Sequence, residues 1–101
     1  MVKTTITWNR KSIQTPWWTT AITNTYKEYV KSKYGVVGKR QSSKLTMSKD
    51  GLTLTSETVF ANEAAFEEFS NDPIIRAWIN TRQEYCTKHN IQESDRIIQT
   101  Y

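Results

Sequence analysis

Cysteine and histidine are nearly absent: the 101 residues hold Cys86, His89 and no other of either kind. A single cysteine excludes an internal disulfide and any zinc site built from cysteines. One histidine beside it leaves too few ligands for a transition-metal centre. Nucleophilic constellations of the Ser/His/Asp or Cys/His type find no support in one histidine. Glycine is scarce as well. Gly35, Gly38 and Gly51 stand apart and form no glycine-rich phosphate loop. No apolar run approaches the ~20 residues that span a bilayer. Residues 1–11 contain no apolar stretch of signal-peptide length. The expectation is a cytoplasmic protein without membrane contact and without a cofactor.

What is present describes an ordered globular chain. Charged residues make up 24% and aromatics 12%, too many aromatics for a disordered chain. The length suits one domain, which at this size buries roughly two-thirds of its unfolded surface. The charge is unevenly spread. Residues 1–49 carry ten Lys and Arg against one acid, Glu28, whereas residues 50–101 carry four against nine acids. Such asymmetry marks either a nucleic-acid surface or two halves whose charges pair in the fold. The second is the expected reading.

Periodicity gives the elements. Val2, Ile6 and Trp8 alternate with polar residues, predicting a strand over 2–9 with these three inward. Thr15-Pro16 reads as a cap followed by proline at the first helical position. Trp18, Ile22, Tyr26, Tyr29 and Val30 then predict a helix over 16–34, stopped by Gly35. A second strand runs from Val36 to Ser48 and turns at Asp50-Gly51 into a third over 52–60. Pairing across that turn puts Leu45 and Met47 on the same face as Leu52 and Leu54. Asn62 caps a helix in which Phe66 and Phe69 are packing residues. Asp72-Pro73 interrupts that helix and starts its continuation to about residue 89, with Asn90 as a left-handed cap. Residues 96–101 form a last strand.

The order is βαββαβ. It predicts an α+β, ferredoxin-like single domain over residues 1–101. Its sheet has four antiparallel strands, and its second helix is interrupted near Asp72-Pro73. Helices cover one sheet face. The other face, a mixture of Thr, Val, Ser and Tyr, is expected to meet a second copy in a homodimer.

The stretch Leu54–Asp72 runs from a strand ending in an aromatic through Asn62-Glu63-Ala64-Ala65-Phe66 to Phe69 and Asp72. It resembles the dimeric α/β-barrel superfamily, in particular its antibiotic-biosynthesis-monooxygenase-like branch. The resemblance implies the same ferredoxin-like fold and two chemistries. Haem-degrading members use an asparagine at the end of the first strand, a helical tryptophan and a histidine about ten residues on. Asn9 matches the first. Phe69 replaces the tryptophan and Ile79 the histidine, while His89 comes about ten residues too late, so the proximal iron ligand of that design is missing. Other members oxygenate aromatic molecules without a metal in an apolar pocket. Trp8, Asn9, Trp18, Phe69, Trp78 and Tyr101 are the candidate pocket-lining residues here, with Trp17 nearby.

Three functions remain open on the sequence. The favoured one is a dimeric structural or interaction module without catalysis. The second is binding of a small apolar ligand, monooxygenase-like if the chain is an enzyme. The third is nucleic-acid binding through Lys27, Lys31, Lys33, Lys39, Arg40 and Lys44. It is not favoured, because strand three offers Leu52, Thr53, Leu54 and Thr55 where RNA-binding sheets carry aromatics. A packed sheet face, or a cavity beside Trp8 and Trp78, separates the first two.

Overall fold

A computed structural model describes all residues, 1–101. Strand β1 (Val2–Asn9) is central. It pairs antiparallel with β3 (Thr53–Phe60) on one side, and with β4 (Gln92–Glu93) and β5 (Ile97–Thr100) on the other. Strand β2 (Arg40–Met47) forms the far edge beside β3. The sheet order β2-β3-β1-β4, with β5 also on β1, is the ferredoxin-like arrangement. Helices α1 (Asn24–Val30), α2 (Glu63–Asn71) and α3 (Pro73–Lys88) lie over one sheet face. No helix is long and apolar enough to cross a membrane.

The caps expected from sequence hold the second half. Asn62 Oδ1 accepts from the Ala65 amide at the start of α2. Asp72 Oδ1 accepts from the Ile74 amide at the start of α3, with Pro73 at the first turn. Asn90 has φ 58° and ends α3 in the left-handed region. The Asp50-Gly51 turn closes the β2–β3 hairpin with Gly51 at φ 74°.

The first helix departs from the expected span of 16–34. Residues Trp18–Ala21 form one 3-10 turn, Ile22 is extended, and α1 begins at Asn24. The cap is Thr23, whose Oγ1 accepts from the Tyr26 amide, not Thr15. Threonine side chains compete for backbone groups and favour such a restart. Beyond Val30 the chain continues through a π turn, Lys31–Gly35. The left-handed glycine is Gly38 at φ 78°, not Gly35. Strand β2 therefore starts at Arg40, and Val36 and Val37 lie exposed in the turn before it. Met47 does pair with Leu54 and Leu45 with Ser56 on the helix-facing side, yet both remain about half exposed because no helix covers this edge. The last strand is two short ones, joined where the Thr7 amide donates to Ser94 Oγ.

The buried apolar residues fall into three groups under the helices. Trp8, Trp18, Leu54, Cys86 and Ile91 form one. Val2, Phe60 and Ala65 form a second. Val30, Tyr34 and Ile75 form a third. Partly buried rings link them, with Phe69 meeting both Phe60 and Tyr34, and Tyr26 meeting Trp78, and the cleft from which function is argued below opens among them.

Candidate ligand-binding cleft

A cleft of about 830 Å³ opens between the helix-facing side of the sheet and the helices. Its floor is the alternating row of β1 and β3: Thr4, Ile6 and Trp8, with Ser56, Thr58 and Phe60. These positions share a face because Ile6 pairs with Ser56 and Trp8 with Leu54. Its roof is α3 and the first helical region, through Ile22, Tyr26, Trp78 and Ile79. The aromatic rings are continuous. Trp8 lies 4.7 Å from Trp18, Trp18 lies 6.2 Å from Trp78, and Trp78 lies 5.0 Å from Tyr26, centre to centre. Tilted pairs at these separations are favourable packing. Burial pushes the Tyr26 phenol up to about 12.

Polar groups stand at defined points of the wall. Glu93 Oε1 accepts from Trp8 Nε1 at 2.7 Å and from Arg82 Nε at 2.8 Å. The Arg82 guanidinium also lies over the Trp8 ring, 5.2 Å from its centre. Arg96 sits 4.9 Å above Phe66 and reaches Ser70 Oγ at 3.4 Å. The indole N–H of Trp18 is buried without a partner. Arg40 enters the cleft from the far edge of the sheet.

Of the residues singled out from sequence, Trp8, Trp18, Phe69 and Trp78 line the cleft. Asn9 and Tyr101 do not. Asn9 pairs with Thr53 and projects from the opposite sheet face, where its Oδ1 accepts from Thr53 Oγ1; the period of two along β1 requires this once Trp8 points inward. Tyr101 is exposed beyond the end of β5, its amide donating to the Met1 carbonyl. Trp17 stacks under Arg10 outside the cleft. His89 packs on Tyr85, 4.2 Å between ring centres. Cys86 is packed with Trp8, Trp18, Leu54 and Ile91, and burial raises its thiol to about 11. No three His, Cys, Asp or Glu side chains converge as metal ligands.

The six basic residues considered for nucleic acid do not form one free surface. Lys33 Nζ binds Asp72 at 2.9 Å, Lys39 Nζ binds Glu68 at 2.7 Å, and Arg40 turns into the cleft. Lys27, Lys31 and Lys44 remain exposed. With Lys3–Glu57 at 2.8 Å, three ion pairs join the basic half of the sequence to the acidic half.

No family model matches the chain, and no curated protein does. Solved structures do. Rv0793 from Mycobacterium tuberculosis superposes with a TM-score of 0.59 at 13% identity, over 100% of this chain and 95% of that one. A provisionally assigned antibiotic biosynthesis monooxygenase from Deinococcus radiodurans gives 0.52 at 11% identity, over 100% and 90%. The chain shares the ferredoxin-like fold of these two structures. At this identity the likeness concerns the fold, and the cleft's chemistry is argued from this chain's own residues.

Proposed function

We propose that this chain is a homodimeric binding protein for a small planar aromatic molecule, held in the cleft between sheet and helices. The observation that carries the reading is the cleft itself, walled by Trp8, Trp18, Trp78 and Tyr26. Its volume of about 830 Å³ lies within the range of roughly 300–1,000 Å³ typical of small-molecule sites. A module acting through protein contacts alone gains nothing from this space.

Ser56 offers the test. It stands in the cleft floor between Ile6 and Leu45 on neighbouring strands. Ser56→Phe should fill the cleft with a ring without disturbing the ladder. Titrated by calorimetry with 2-naphthamide, the wild-type chain should show saturable binding. The variant should lose roughly tenfold or more in affinity, about 1.4 kcal/mol, with an unchanged or higher melting temperature. Equal affinity in the two proteins contradicts the reading.

The dimer rests on the opposite sheet face. Thr5, Thr7, Thr55, Val59 and Ile97 lie there with no protein layer over them. A second copy covering the same face completes a sheet-on-sheet core. Sedimentation at micromolar concentration should give twice the chain mass. A clean monomer removes the dimer from the account and leaves the cleft, which faces the other way, untouched.

A further inference from the structure

The geometry points to a carboxylate on that ligand, gripped by Arg40; this inference rests on the proposed role of the cleft. Four arginines line the cleft, and three already have acceptors within the protein. Arg82 binds Glu93, Arg76 reaches the Ser70 carbonyl at 3.3 Å, and Arg96 reaches Ser70 Oγ. Arg40 differs. Its Nε is buried with no hydrogen-bond partner, and it belongs to none of the chain's ion pairs.

The backbone puts Arg40 there by a specific device. Ser42 pairs with Val59, so regular alternation would set Gln41 opposite Phe60 and turn Arg40 to the outer face. Instead the ladder slips between Arg40 and Ser42, and Arg40 itself stands opposite Phe60. This β-bulge inserts one residue and re-aims the guanidinium inward. A solvated outer position would cost nothing. Turned inward, the Arg40 Nε donor is left buried without a partner, which is costly, and burial pulls the guanidinium below its ordinary range. A planar carboxylate offers two acceptors to the guanidinium fork and removes that cost. Tyr26 lines the same cleft as Arg40 and ends the aromatic wall that continues through Trp78 and Trp18 to Trp8. An aromatic ring lying along this wall would place a carboxylate substituent at the arginine.

The test compares 2-naphthoate with its neutral counterpart 2-naphthamide, by calorimetry at pH 7. The wild-type chain should bind the carboxylate roughly tenfold or more tightly, as expected for hydrogen bonds to a charged group. Arg40→Met, which keeps the length and removes the charge, should abolish the preference, bringing the affinity for 2-naphthoate down to that for 2-naphthamide. Arg40→Lys should restore part of it. Both probes binding wild type equally overturns the carboxylate assignment and leaves the cleft reading standing. Neither probe binding overturns the cleft reading itself. The wild-type comparison decides the point even if Arg40→Met fails to fold, which its circular dichroism would reveal.

Discussion

Asp72→Ala should cost about 2–4 kcal/mol, from a buried hydroxyl left without an acceptor and a lost helix cap. The Asp72 side chain is almost wholly buried where α2 meets α3. One carboxylate oxygen caps α3 through the Ile74 amide. The other accepts from the hydroxyls of Tyr29 and Tyr34, each at 2.5 Å, and from Lys33 Nζ at 2.9 Å. Alanine leaves the Tyr34 hydroxyl, in a fully buried residue, without an acceptor, at about 1–3 kcal/mol. Loss of the cap adds about 1 kcal/mol. Lys33 is exposed enough to rehydrate and adds little. Asp72→Asn keeps the cap oxygen and should lose less. Urea unfolding measures both, and an alanine cost under about 1 kcal/mol, the value of the cap alone, would contradict the cluster's role.

The same group sets an acid limit. Burial alone would push the Asp72 carboxyl up; the bonds from Tyr29, Tyr34, Lys33 and the Ile74 amide outweigh it and hold the carboxyl well below the usual range. The unfolded chain therefore binds this proton more readily than the folded one. The contribution of Asp72 is complete above the unfolded value of about 3.9 and fades as pH falls from there toward the depressed folded value. Wild-type stability should drop over that interval. Asp72→Ala should lack this part of the drop.

Phe60→Ala should cost about 3–5 kcal/mol, the usual range for truncating a buried phenylalanine. Its ring is 2% exposed and lies 5.5 Å from Phe66 and 5.1 Å from Phe69. Phe60 also forms the end of the cleft floor, with Val2 beside it in the sheet. The spacing of α2 singles out Phe66 and Phe69 as its packing residues, but both are only partly buried, so Phe66→Ala should cost less. Chemical denaturation of the two variants decides the order. Equal losses would mean that the ring cluster is centred on the helix and not on the strand.

Much of this fold was legible because local signals agreed with the whole. Period two in residues 2–9, the Asp50-Gly51 turn and the caps Asn62, Asp72 and Asn90 each act within a few residues. The break before α1 was not legible, since Thr15 and Thr23 offer the same chemistry and only packing of Trp18 against Trp8 separates them. The cleft was half legible. Aromatic residues at helical or alternating spacing announced Trp8, Trp18 and Trp78, but whether such rings close on each other or stand apart depends on helix placement. Asn9 fell on the wrong face for a reason parity alone supplies. Arg40 groups with the lysines near it in the sequence, and its parity with Ser42 and Lys44 would by itself turn it outward. The bulge that reverses it leaves no mark in composition or period.

The most direct test of the cleft as a ligand site uses the four tryptophan indole N–H signals in a nitrogen-15 spectrum, followed as 2-naphthoate is added. Trp8, Trp18 and Trp78 line the cleft, whereas Trp17 lies outside it under Arg10. The account predicts that the first three signals shift along one saturable curve and that Trp17 stays still. A shift of Trp17 alone, or saturation that leaves Trp18 and Trp78 unmoved, would contradict it.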